Sequence, residues 1–126
     1  MHATVAILLV SVLGSSAQPQ STIRSGTRYV VASIFALGTD CKPLAGSFRI
    51  DEGVKPRHGR ISSAAGVAYT NLPPSDPLSQ CNHEPRPAFD VLYKAYAGFR
   101  GIDSFQLVVH TPDGRAVPVA VTLEVQ

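Results

Sequence analysis

The stretch Tyr93-Lys94-Ala95-Tyr96-Ala97-Gly98-Phe99-Arg100-Gly101-Ile102-Asp103-Ser104-Phe105-Gln106-Leu107-Val108-Val109 decides the fold class. Gly98 and Gly101 flank Phe99 and Arg100 in a turn, and the run that follows places Phe105, Leu107 and Val109 on one face of an extended strand. The same period of two returns further on, where Val117, Val119, Val121, Leu123 and Val125 alternate with Pro118, Ala120, Thr122 and Glu124. Alternation sustained over that length indicates a half-buried strand. Pro118 cannot donate to a ladder, so this end of the strand is expected to be unpaired or at an edge. Between the two strands, Thr111-Pro112-Asp113-Gly114 spells a hairpin, with Gly114 supplying positive φ.

Working towards the N-terminus, residues 88–95 form a further strand, with Phe89, Val91 and Tyr93 on one face and Asp90, Leu92 and Lys94 on the other. Residues 73–87 hold Pro73, Pro74, Pro77, Pro85 and Pro87. Fixed φ and missing donors exclude a central strand there, and a loop of this length is either functional or loose. Residues 59–72 read as a hairpin broken at Gly66, and residues 47–51 as a short strand with Phe48 and Ile50 on one face. Asp51-Glu52-Gly53 is a turn signal. The β-branched and aromatic residues of 28–37 make the first strand, ended by Gly38-Thr39-Asp40. The Ser, Thr, Gln and Pro content of residues 18–27 predicts a flexible N-terminus. Seven strands and no helical period indicate an all-β chain with one domain over residues 28–126.

The order Pro56-Arg57-His58-Gly59, Tyr93, Gly98-Phe99, Gly101-Ile102-Asp103-Ser104-Phe105 and a closing strand of alternating valines resembles the bacterial Ig-like, cadherin-like tandem domains. Their pattern is P-x-H-G, Y-x-P, G-F-x-G-x-D-S-F and V-x-V-x-V; Ala95 stands where it has proline. The resemblance covers residues 47–125 and implies a small Ig-like β-sandwich of a kind used for spacing and adhesion in secreted and surface proteins. The absence of tryptophan distinguishes it from an antibody-type domain.

Residues 1–17 read as a signal peptide, with an apolar run over 6–13 and small residues Gly14-Ser15-Ser16-Ala17 before a cleavage site expected after Ala17. Met1-His2-Ala3-Thr4 lacks the usual positive charge, as it would if translation starts upstream. The apolar run is too short for the roughly 20 residues of a spanning helix, so the expected destination is periplasmic or extracellular, with no transmembrane span in the mature chain. Two cysteines, Cys41 and Cys81, suit an oxidising compartment and are expected to pair; two free thiols are the alternative. Zinc would want four ligands, and near this pair only His83 is available. All eleven basic and nine acidic residues fall after the leader, and a net charge of +2 lacks the concentrated basic face of a nucleic-acid binder.

Lys55, Arg57, His58 and Arg60 form the one basic cluster, a candidate binding surface for a polyanion such as a cell-surface polysaccharide or phospholipid headgroups, or else a solvated turn. Asp51, Glu52, Asp90, Asp103 and Asp113 could offer calcium ligands but are scattered singly, which disfavours the six to eight oxygens calcium takes. Asp103 fits better as a carboxylate capping its turn through backbone N–H groups, and Tyr93 or Tyr96 as a corner tyrosine bonded to backbone. His58, His83 and His110 have no partner at metal-ligand spacing. Without a Gly-x-Ser-x-Gly elbow, a His-Glu-x-x-His pair or a glycine-rich phosphate loop, no catalytic residue and no cofactor is expected. The expected function is a non-enzymatic binding, adhesion or structural module, with a cell-envelope protein or polysaccharide as partner. A hydrolase or other enzyme with a site built from loops is the alternative, since a triad can assemble from distant segments.

Overall fold

A computed structural model describes residues 21–126. The expected leader, its cleavage after Ala17 and the first part of the expected flexible segment lie outside the described residues. Seven strands follow in order: β1 (Ser21–Ile23), β2 (Arg28–Ile34), β3 (Arg49–Val54), β4 (Gly59–Ala68), β5 (Arg86–Ala95), β6 (Gly101–His110) and β7 (Ala116–Val125). A short 3-10 turn at Ser79–His83 lies between β4 and β5. The strands form two sheets, β1-β7-β6-β3 and β2-β5-β4. β1 runs parallel to β7, and the other neighbours are antiparallel. No helix among the described residues is long and apolar enough to cross a membrane.

The two sheets close on one another as an all-β sandwich. Ile34, Val91 and Tyr93 from the three-stranded sheet meet Phe105, Leu107 and Val109 from the four-stranded one. Tyr93 and Phe105 stack across the core with centroids 5.5 Å apart. Burying a side chain of this size stabilises by about 1.5–3 kcal/mol, and the alternation that makes it possible is the one read in β6 and β7. Val117, Val119, Leu123 and Val125 are all buried. The β6–β7 hairpin turns where expected, with the Thr111 N–H donating to the Arg115 carbonyl, the Gly114 N–H to the Thr111 carbonyl, and φ +90° at Gly114. Pro118 lies on the part of β7 that β1 does not reach, since β1 covers only Leu123, Glu124 and Val125.

Four local expectations need correction. The described part of the expected flexible N-terminus includes β1, whose Ile23 is buried against the core; the polar composition of its neighbours hides a single apolar anchor. Asp51, Glu52 and Gly53 do not turn the chain but continue β3, and the register shift between Glu52 and Val54 marks a bulge. Residues 59–72 hold one strand instead of a hairpin, because β4 pairs along its whole length with β5. Gly66 leaves room there for Asp90, as a Cβ at this position would come within 2.0 Å of a carboxylate oxygen unless that side chain shifted. The first strand is shorter than expected. After Ile34 the chain leaves the sheet, and Phe35 and Leu37 enter a second apolar cluster.

That second cluster organises the proline-rich loop. Phe35, Leu37, Leu78 and Ala88 surround the Cys41–Cys81 disulfide, whose Cα atoms are 5.5 Å apart. The bridge joins the β2–β3 connection to the 3-10 turn, so it ties two loops together as expected. Asn82 holds the rest: its Oδ1 accepts from the Thr70 hydroxyl and the Leu72 N–H, and its Nδ2 donates to the Leu72 carbonyl. Asp76 accepts from the Leu78 N–H, as an Asx turn does. The loop is thus long without being loose.

Candidate functional site

Arg57, His58, Tyr93 and Asp103 meet at the end of the sandwich formed by residues 24–27, 55–58 and 96–100. Asp103 starts the inward-facing series of β6 and is 3% exposed. Its Oδ1 accepts from the Arg57 N–H at 3.1 Å and the Ser104 N–H at 3.0 Å. Its Oδ2 accepts from the His58 N–H at 3.1 Å and the Tyr93 hydroxyl at 2.6 Å. A carboxylate offers about four lone-pair sites, and all are used. The capping role read from the sequence is present, but two of the N–H groups come from the β3–β4 connection and not from Asp103's own turn. The hydroxyl-to-backbone bond expected of Tyr93 or Tyr96 is not made by either: the Tyr93 hydroxyl donates to the Asp103 carboxylate, and Tyr96 stays exposed.

The remaining motif residues serve the same node. Gly59 passes against the Tyr93 ring, where a Cβ would lie 2.5 Å from ring carbons. His58 stacks on Phe99 with centroids 4.0 Å apart, and its carbonyl accepts from the Tyr96 N–H. Burial, and secondarily the hydrogen bond to Asp103, pushes the Tyr93 phenol well above its ordinary range. A raised folded value means that the contribution of Tyr93 is fully present below the unfolded phenol pKa of about 10 and is lost as pH rises through the higher folded value. Stability of the wild type is therefore expected to fall above that pH. Tyr93→Phe should flatten this alkaline limb in urea melts, whereas Tyr69→Phe, at an exposed site, should leave it unchanged.

The other carboxylates named in the sequence sit apart and have partners of their own. Asp51 on β3 bonds Arg49 and the His110 ring, and the His110 bond is the main cause holding its carboxyl below the ordinary range. Asp90 accepts from the Ser33 hydroxyl, Asp113 lies in the β6–β7 turn with Thr111 and Arg115, and Glu52 is exposed on β3. Among the described residues no three His, Cys, Asp or Glu side chains gather where they could hold a metal ion. His83 is exposed in the 3-10 turn.

The basic cluster divides. Lys55 and Arg57 are exposed on the β3–β4 connection, and His58 lies half-buried on Phe99. Arg60 is the second residue of β4 and belongs to a different group. It pairs in register with Lys94 of β5, and Lys94 pairs in turn with Arg28 of β2. Residues directly opposite in a sheet share a face, and Lys94 is exposed between the buried Tyr93 and Ala95, so this face is the outer one. The three cations border an open cleft of about 450 Å³, together with Gly26, Ser62 and the exposed Tyr96. Arg28, Lys94 and Tyr96 were outside the binding surface expected from sequence. Their outward direction was readable from strand alternation, but which strands lie side by side was not. Compared with family models, curated proteins and solved structures, the chain matches none.

Proposed function

We propose that this chain is an exported, Ig-like β-sandwich acting as a non-enzymatic binding or supporting module in the periplasm or outside the cell. The strand order supports the Ig-like assignment. Lettering β1 to β7 as A to G, one sheet reads B-E-D and the other G-F-C, with A placed beside G. The disulfide suits an oxidising compartment. One observation carries the binding role: Asp103, Tyr93 and His58 are engaged in holding the fold, while the cations Arg28, Lys94 and Arg60 face outward with no acidic partner among the described residues. Chemistry-bearing groups at the node maintain shape, and the surface row is left to meet a partner.

Export is tested by expressing the full chain and measuring intact mass by cell fraction. The expected product begins at Gln18, carries an intact disulfide and appears outside the cytoplasm. Precursor mass confined to the cytoplasm would overturn export. Turnover of simple ester, amide or glycoside substrates by the purified protein would favour the hydrolase alternative.

A further inference from the structure

The geometry points to the Arg28–Lys94–Arg60 row as a binding site for an acidic oligosaccharide, a polymer bearing carboxylate or sulfate groups at regular intervals. It gives a ligand class to the binding module proposed above and rests on that reading. Neighbouring strands lie about 4.8 Å apart, so the three strands bring their cations within a span of about 10 Å. Like charges directly opposite one another in a sheet repel, and the strand spacing of about 4.8 Å between neighbours in the row is shorter than the Debye length of about 8 Å at physiological ionic strength. The repulsion is not relieved from within. None of the three side chains is ion-paired among the described residues, and Asp90, the outward carboxylate on β5, is engaged by Ser33 further along the strand.

The row is held by buried structure. Asp103 pins the Arg57 and His58 N–H groups just before β4 begins, which sets where Arg60 leaves the turn. The Gly26 N–H donates to the Ala95 carbonyl, which ties the residues before β2 to the end of β5. The rigid sheet fixes the backbone beneath the row in advance, so the ordering that binding requires is confined to the side chains themselves.

The cleft favours a sugar polymer over other polyanions. Guanidinium groups meet carboxylate and sulfate oxygens in bidentate fashion. Tyr96 offers an exposed ring, amphipathic and stiff, against which the C–H face of a pyranose can pack, and the Ser62 hydroxyl lies within the same cleft. A nucleic acid would want a wider basic footprint and more than one stacking ring. A lipid surface would want apolar side chains projecting beside the cations. Of the large exposed apolar residues, Val54 and Ile102 lie on the other sheet, Val67 alternates away from the outer face of β4, and Tyr69 lies beyond the end of β4, which leaves Tyr96 as the single one at the cleft.

Calorimetric titration of the disulfide-bonded protein with a hexauronate tests the site, with a neutral hexasaccharide, inorganic phosphate and anionic phospholipid vesicles as comparison ligands. Hexauronate should bind and weaken with added salt, and the neutral sugar should not bind. Lys94→Gln should weaken hexauronate about tenfold or more, the loss of one charge-assisted contact. The same variant should melt higher than wild type in low salt without ligand, because it removes the repulsion. Lys42→Gln, on the β2–β3 loop, should change neither. Equal affinity of wild type and Lys94→Gln, a lower melting point for Lys94→Gln, phosphate binding as tightly as hexauronate, or binding to vesicles alone would each overturn the proposal. Any of these would leave the mass and location of the exported chain as they are, so the two failures are separable.

Discussion

Asp103→Ala is expected to destabilise the protein by at least the roughly 1–3 kcal/mol that leaving one buried hydrogen-bonding group without its partner costs, since several donors lose their acceptor at once. The carboxylate accepts four hydrogen bonds, and its loss would leave the buried Tyr93 hydroxyl and the part-buried Arg57, His58 and Ser104 N–H groups to find new acceptors. Three neighbours grade the effect. Asp103→Asn keeps the shape but turns an amide NH2 towards groups that are themselves donors, so about half the loss is expected. Tyr93→Phe removes a single donor and should cost about 1–2 kcal/mol. Gly59→Ala drives a methyl group into the Tyr93 ring, which is fully buried and cannot step aside, at a cost of about 1–3 kcal/mol. Urea midpoints measure all four. An Asp103→Ala midpoint within error of wild type would show that the node does not hold the β3–β4 connection in solution.

The second large effect is expected at the disulfide. Cys41 and Cys81 are 40 residues apart, and opening that loop should cost about 4 kcal/mol on the chain-entropy account. This is a large share of the roughly 5–15 kcal/mol that a domain has in total. The bridge also sits inside an apolar cluster with Phe35, Leu37 and Leu78, so its removal loosens the packing that orders the proline-rich loop. A double Cys41→Ala, Cys81→Ala variant should show a lower urea midpoint and a steeper m-value, since the opened chain exposes more surface on unfolding. Wild type in reductant should follow the variant. Coincident melts with and without reductant would show that the bridge contributes nothing to stability.

These two expectations draw on different kinds of legibility. The cysteine pairing could be read from residue count, because only one pair is possible. The Asp103 node was half visible. The Gly-Ile-Asp-Ser-Phe stretch marked Asp103 as a turn carboxylate, but nothing local shows that its donors come from residues 57 and 58, on the far side of β4 and β5. The basic row was the least visible, since Arg28, Arg60 and Lys94 come from three separate strands and become neighbours through the order β2-β5-β4. The expected count of seven strands agrees with the structure although the membership differs: β1 was missed, and β4 was divided at Gly66.

By itself the sequence determined the all-β class, the buried faces of β6 and β7, the hairpin between them and the loop character of the proline-rich segment. Each of these follows from side-chain direction and backbone freedom within a few consecutive residues. The tertiary structure alone decided which strands pair, where β1 attaches, what encloses Asp103 and which cations stand together. The physical reason lies in the backbone ladder, whose N–H and C=O groups are the same in every strand; alternation therefore tells a strand which face to bury and leaves its neighbours to be chosen by packing across the whole chain.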